Sequence, residues 1–198
     1  RRAQGGFNLI EIVITIVIVA LLAVLGMPTY SAWLQNSQMR ASAESMIAGL
    51  LRKQLVDPAN IAASHPRENR RTELADKHGI AVFADNIDAA KFVAGQENSA
   101  IVICVKPQRL KRVLEDLQGV MHPDKLVISI VAGATIEHLA EELGTAKVVR
   151  AMPNTPSQIG AGITAWTCTV AVGDDERAHV RELLSALGKE LFVETENM

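Results

Sequence analysis

Beyond Leu55 the chain alternates short apolar runs with amphipathic stretches of helical period, an order that selects a parallel sheet with crossover helices. Strands are expected over 60–64, 81–84, 100–105, 126–131, 147–152 and 166–172. These runs are almost wholly apolar, as suits strands covered on both faces. Three helices declare themselves through stripes at i, i+3, i+4 and i+7: Leu110, Val113, Leu114 and Leu117; Ile136, Leu139, Ala140 and Leu143; Val180, Leu183, Leu184 and Leu187. Each stripe reads as core. A further helix is expected over 67–78, and Asp174 after Gly173 is the expected N-cap of the last one.

Composition narrows the function classes. The 198 residues are 48% hydrophobic, enough for a real core, and 20 Lys plus Arg against 22 Asp plus Glu leave a net charge of −2. That balance offers no nucleic-acid-binding surface. The two cysteines, Cys104 and Cys168, lie far apart in apolar runs without metal-ligand spacing, so they are expected to be core thiols, and no metal is expected.

A different pattern precedes this region. Residues 7–27 carry only Asn8, Glu11 and Thr15 as polar side chains, a length that spans a bilayer core, and Arg1 and Arg2 stand before it. A buried helix would need a polar face, and a secretory signal would carry its small-residue site after the apolar run, whereas Gly5 and Gly6 precede it. An ionisable group at such a depth points to function, and Glu11 is that group. Residues Gly6-Phe7-Asn8-Leu9-Ile10-Glu11 resemble the processing site of type IV prepilins, with Asn8 standing where Thr is usual. The resemblance implies cleavage after Gly6, N-methylation of Phe7 and pairing of Glu11 with a neighbouring subunit's N-terminus. It covers about 45 residues, includes Pro28 and Tyr30-Ser31-Ala32-Trp33-Leu34, and implies an inner-membrane location through residues 7–27.

In a doubly wound sheet, ligands sit at the carboxyl ends of the strands, so the residues that follow each strand carry the functional information. After the first strand comes Ser64-His65-Pro66-Arg67-Glu68-Asn69-Arg70-Arg71. A hydroxyl with arginines suits a ribose 2′-phosphate, where an acidic residue would suit a free 2′-OH; a solvated helix start is the alternative. After 100–105 comes Lys106-Pro107-Gln108, after 126–131 comes Ala132-Gly133-Ala134-Thr135, and after 147–152 come Pro153-Asn154-Thr155-Pro156. Small residues let a flat ring approach the backbone, and prolines around Asn154 stiffen its loop.

The set Val105-Lys106-Pro107, Ser129 to Thr135 and Met152-Pro153-Asn154-Thr155-Pro156 resembles pyrroline-5-carboxylate reductase, over about residues 43–198. That implies an incomplete Rossmann-like, doubly wound parallel α/β sheet, here preceded by the long N-terminal transmembrane helix expected over residues 7–27. It also implies hydride transfer from NADPH to the C=N carbon of 1-pyrroline-5-carboxylate, giving L-proline, in a cytoplasmic family. By resemblance Ser64, His65 and Arg67 meet the ribose phosphate and Asn86 the adenine side. Val105, Lys106 and Pro107 with Val131, Ala132 and Gly133 pass beneath the nicotinamide, and Asn154 faces nicotinamide and substrate. Lys106 is either a catalytic acid or a shaper of its loop.

The family opens with a strand and a Gly-rich turn that holds pyrophosphate at a helix N-terminus. Here those positions read Gln38-Met39-Arg40-Ala41-Ser42. The family's homo-oligomeric, all-helical domain has no counterpart before Met198. The expectation is therefore a chimera, with a prepilin-type leader over 1–45 and a partial dinucleotide-binding domain over 46–198, inactive in this form and exposing strand edges where the first strand is lacking.

Overall fold

The computed structural model describes residues 13–18, 42–96 and 98–195. The chain divides into two compact units, Arg1–Ser37 and Gln38–Met198. In the first, residues 13–18 are helical and Val13, Ile14, Ile16, Val17 and Ile18 are exposed. The remainder of the expected membrane segment, with Gly6, Phe7 and Glu11, lies outside the described residues. Among the described residues no helix is long and apolar enough to cross a membrane.

The second unit is an α/β domain. Helical residues 42–52 (α1) lead through a 3-10 turn, Pro58–Asn60, into β1 (Ala62–Ser64), α2 (Glu68–His78), β2 (Ala81–Phe83), α3 (Asn86–Ala94) and β3 (Ala100–Ile103). Then follow α4 (Pro107–Gln118), β4 (Leu126–Ser129), α5 (Ile136–Leu143), β5 (Val148–Pro153), a 3-10 turn Thr155–Ile159, β6 (Gly162–Cys168), α6 (Asp174–Ser185) and β7 (Gly188–Phe192).

The expected single sheet is two: β1 pairs only with β2, and β3-β4-β5-β6-β7 form a five-stranded sheet. Both β1 and β3 are edges among the described residues, with no described strand between them. The expected all-parallel order fails at one place, because β5 and β6 are antiparallel. The reason is local: the short turn at 155–159 reverses the chain, whereas a parallel pair needs a crossover helix, which β6 and β7 obtain from α6.

Helices cover both faces of the five-stranded sheet. On one face Met46 and Leu50 of α1 and Val180 and Leu184 of α6 pack with Ile128, Val149 and Trp166. On the other, Ala90 of α3, Leu110, Leu114 and Leu117 of α4, and Leu139 and Leu143 of α5 pack with Ile103, Val127 and Val148. All four residues of β4 are buried, so it is the centre of the core. Each large apolar side chain so enclosed contributes about 1.5–3 kcal/mol of transfer free energy. Cys104 and Cys168 are free and pack against the first cluster.

The start of α1 is joined to both the core and α2. A Cβ on Gly49 would collide with the Ala186 carbonyl, so only glycine permits this approach of α1 to the end of α6. Glu44 accepts from Arg70 at 3.2 Å and from Lys77, both on α2. The Lys77 hydrogen bond, with help from Arg70, holds the Glu44 carboxyl below its usual range.

Element ends differ from expectation for stated reasons. Asn60 belongs to the 3-10 turn capped by Asp57, whose Oδ1 accepts from the Ala59 amide at 2.8 Å, so β1 starts later. The strand expected over 166–172 runs from Gly162 to Cys168; beyond it the chain turns, with Val172 N–H donating to Thr169 O at 3.2 Å and Val170 98% exposed. The N-cap of α6 is Gly173, with Asp174 its first residue, and the Glu176 carboxylate accepts from the Gly173 amide at 3.0 Å. Strand β7 escaped the sequence pattern because Gly-Lys-Glu-Leu-Phe neither forms an apolar run nor alternates in polarity: Glu190 is turned inward to Trp166 and Leu191 outward.

Candidate functional site

The carboxyl end of β1 carries the first group of expected site residues. Ser64, the last residue of β1, donates its hydroxyl proton to Asn86 Oδ1 at 2.7 Å, and Asn86 Nδ2 donates to Asp116 Oδ2 at 2.9 Å. This three-member chain links β1, the first residue of α3 and the last turn of α4. The loop after Ser64 is braced: the Arg67 amide donates to His65 Nδ1 at 3.1 Å, and Arg71 donates to the carbonyls of His65 and Pro66 at 2.9 and 3.1 Å. An acceptor Nδ1 fixes the neutral His65 ring as the Nε2–H tautomer.

The arginines after β1 therefore divide by task. Arg70 is engaged by Glu73 and Glu44, and Arg71 braces the loop. The exposed Arg67 guanidinium has no hydrogen-bond partner among the described residues, so it is the cation available to an anionic ligand. A guanidinium after β1, with no carboxylate between it and Ser64, suits a phosphate-bearing ribose.

The second group lies at the ends of β3, β4 and β5. Val105 is partly buried against the core, Lys106 is the N-cap residue of α4, and Pro107 is its first residue, where a missing N–H costs nothing. Val131 is fully buried, with its amide donating to the buried Ser129 hydroxyl at 3.2 Å. Ala132 and Gly133 are exposed. Gly133 adopts φ +79°, which favours glycine, and a Cβ there would meet nothing within 4 Å. The glycine thus serves the turn and leaves open space above the end of β4.

The Asn154 side chain is fixed in the turn after β5. Its Oδ1 accepts from the Ile163 amide at 2.9 Å, and its own amide donates to Ile163 O at 3.2 Å. The side-chain oxygen thus closes the β5–β6 turn, leaving Nδ2 as the group that can face a ligand. The structure brings Ser64 together with Asn86, and Val105 together with Val131 in one cluster.

Asp116 was missing from the sequence-derived set. It lies 30 residues from Asn86 on a helix read only for its apolar stripe, and no local signal connects the two. Among the described residues no cluster of three His, Cys, Asp or Glu side chains could hold a metal. Positions 38–41, where a phosphate-binding turn would stand, lie outside the described residues. The Arg67 guanidinium has the charge a ribose phosphate needs, and the backbone at Gly133 is open.

Residues 41–133 match the family described as "NADP oxidoreductase coenzyme F420-dependent". Over a longer stretch the chain is similar to pyrroline-5-carboxylate reductases. It is 40% identical over 139 residues to that of Vibrio alginolyticus, covering 70% of this chain and 49% of the relative. It is 34% identical over 146 residues to that of Synechocystis, covering 74% and 52%. The solved pyrroline-5-carboxylate reductase of Coxiella burnetii superposes with a TM-score of 0.72 at 29% identity, covering 79% of this chain and 56% of that one. The enzyme of Plasmodium falciparum, solved with NADP bound, shares the fold at 22% identity and a TM-score of 0.63, covering 76% and 53%. The chain spans about half the length of these relatives. Its α/β domain is related to the dinucleotide-binding domain of the pyrroline-5-carboxylate reductases.

Proposed function

We propose that residues 46–198 form the NADP-binding part of a reductase that converts 1-pyrroline-5-carboxylate to L-proline. The observation that carries this reading is the end of β1, where the Arg67 guanidinium, without a hydrogen-bond partner among the described residues, follows Ser64 with no carboxylate between them. Bound NADPH supplies the hydride for the C=N carbon. In this reading Arg67 holds the ribose phosphate, Ser64 and His65 border the ribose, and Asn86 borders the adenine side. Val105 to Pro107 and Val131 to Gly133 shape the floor under the nicotinamide. Asn154 presents Nδ2 towards the reacting groups, since its oxygen is bonded to Ile163. Lys106, at the mouth of α4, either donates a proton or shapes the loop that holds the ring. A protonated cyclic imine is already electrophilic, so alignment and exclusion of water are the main tasks of these residues.

Titrating NADPH and NADH into the full-length chain by calorimetry tests the reading, with 1-pyrroline-5-carboxylate-dependent loss of NADPH absorbance as the second readout. Saturable NADPH binding that is weakened by Arg67→Ala supports it. Absence of saturable binding at millimolar nucleotide removes it.

The N-terminal unit supports a separate reading. We infer that residues 7–27 enter the inner membrane as a prepilin-type segment, on the strength of the Gly6-Phe7 and Glu11 pattern and of the exposed Val13 to Ile18. Mass spectrometry of membrane-fractionated protein decides it: an intact N-terminus in the soluble fraction would reject the reading.

A further inference from the structure

Asn86 stands between a carboxylate and a hydroxyl, and the carboxylate dictates what the hydroxyl can do. An ionised carboxylate only accepts hydrogen bonds, so Asp116 Oδ2 requires the Nδ2 end of the Asn86 carboxamide, at 2.9 Å. That leaves Oδ1, which also only accepts, facing Ser64 at 2.7 Å. The single proton of the Ser64 hydroxyl is therefore committed to Asn86. What Ser64 presents beyond the end of β1 is a lone pair. A ribose 2′-hydroxyl can donate to that lone pair, whereas a 2′-phosphate oxygen needs a donor and meets an acceptor instead.

We propose that Asp116, through Asn86, is a positioning residue that sets the preference of this site between a 2′-phosphorylated and a free adenosine ribose. The inference rests on the cofactor reading above and adds its control. With Asp116 in place, the 2′-phosphate relies on Arg67 and gains a Ser64 bond only by breaking the one to Asn86. Without the carboxylate the carboxamide is free to turn over, Nδ2 donates to Ser64 Oγ, and the hydroxyl proton is released for the phosphate. Asp116, Asn86 and Ser64 are all half-buried, so this bonding takes place partly shielded from water.

The test uses the full-length chain, titrated with adenosine 2′,5′-bisphosphate and with AMP, and reads the ratio of the two dissociation constants. A general structural defect weakens both nucleotides alike and leaves that ratio unmoved. Asp116→Asn is expected to raise the preference for the bisphosphate about tenfold, the worth of one hydrogen bond to a charged group at its lower end. Asp116→Asn also removes a negative charge, so the same substitution is made in an Asn86→Ala background. If the relay operates, the effect shrinks there to less than about twofold; if it keeps its full size, simple charge removal explains it and the proposal fails. Asn86→Ala alone, which frees the Ser64 proton while keeping Asp116, is expected to raise the ratio too, and serves if Asp116→Asn does not fold. Wild-type binding with a ratio unchanged in both variants overturns the relay alone. No saturable binding of either nucleotide to the wild type overturns the cofactor reading and the relay with it.

Discussion

Gly188 opens β7 at φ +130°, directly opposite Gly162 in the parallel pairing of β6 and β7. A Cβ there would lie 2.6 Å from the Gly162 nitrogen and 2.9 Å from its carbonyl carbon, and closer still to its oxygen. These are backbone atoms of a paired strand, so no side chain can swing aside. Two costs add for Gly188→Ala: about 1–3 kcal/mol for a non-glycine residue in a sparsely allowed conformation, and about 1–3 kcal/mol for forced overlap. Two other glycines separate these terms. Gly144 has φ +64° but open space, so Gly144→Ala bears the conformational cost only, about 1–2 kcal/mol. Gly95, at φ −87° with nothing nearby, bears neither, and Gly95→Ala is expected to leave stability unchanged or slightly raised. At about 2–4 °C per kcal/mol for a chain of this size, a loss near the middle of the range, about 4 kcal/mol, lowers Tm by roughly 8–16 °C. Differential scanning calorimetry on the full-length variants reads the series directly. A Gly188→Ala variant no less stable than Gly144→Ala would refute the overlap argument, and with it the description of β6 and β7 as backbone in contact.

The Glu44 carboxyl is held below its usual value of 4.5 chiefly by the Lys77 hydrogen bond, so its contribution is present at neutral pH and disappears as pH falls through the lowered folded-state value. Glu44→Gln is accordingly expected to cost about 0.5–1 kcal/mol at pH 7 and nothing at strongly acid pH; a Tm difference independent of pH from 7 to 2 contradicts the ion-pair account. Burial pushes the Cys104 thiol up to about 12, leaving about one thiolate in ten thousand at pH 8. Iodoacetamide should therefore spare Cys104 in the native chain and alkylate it after denaturation, as read by peptide mass spectrometry; prompt native labelling would show the thiol to be solvated. Leu114→Ala, at a side chain only 1% exposed between α4 and the sheet, should cost about 3–5 kcal/mol by chemical denaturation.

The periodic parts of the chain were legible because periodicity is a local property. Leu110, Leu114 and Leu117 carry their helix and its buried face in their spacing alone, and the apolar residues of β4 carry a fully covered strand. The antiparallel turn of β6 was not legible, since Trp166 and Val170 look equally apolar in sequence and only the pairing with β5 and β7 tells strand from turn. At the site, residue types were readable and their bonding was not. Ser64 and Asn86 were each singled out, yet their contact depends on α3 packing beside β1, and Asp116 enters only because α4 packs beside α3. Asn154 shows the reverse case: its loop was recognised, but the commitment of its oxygen to Ile163 follows from a turn geometry that spacing does not encode.

The separation between β1 and β3 bears on how the molecule breathes. The Ser64 end of the candidate site is mounted on a pair of three-residue strands that, among the described residues, share no ladder with the five-stranded sheet. Its anchorage runs through helix contacts and through Glu44 instead. Regions held in this way open locally at lower cost than a core strand such as β4, and should exchange their amide hydrogens sooner. A nucleotide that ties Ser64 and Arg67 together would draw on that reserve, slowing exchange across β1 and β2 by an amount that grows with its concentration over its dissociation constant. Binding and local folding at this end of the domain are then one equilibrium viewed through two observables.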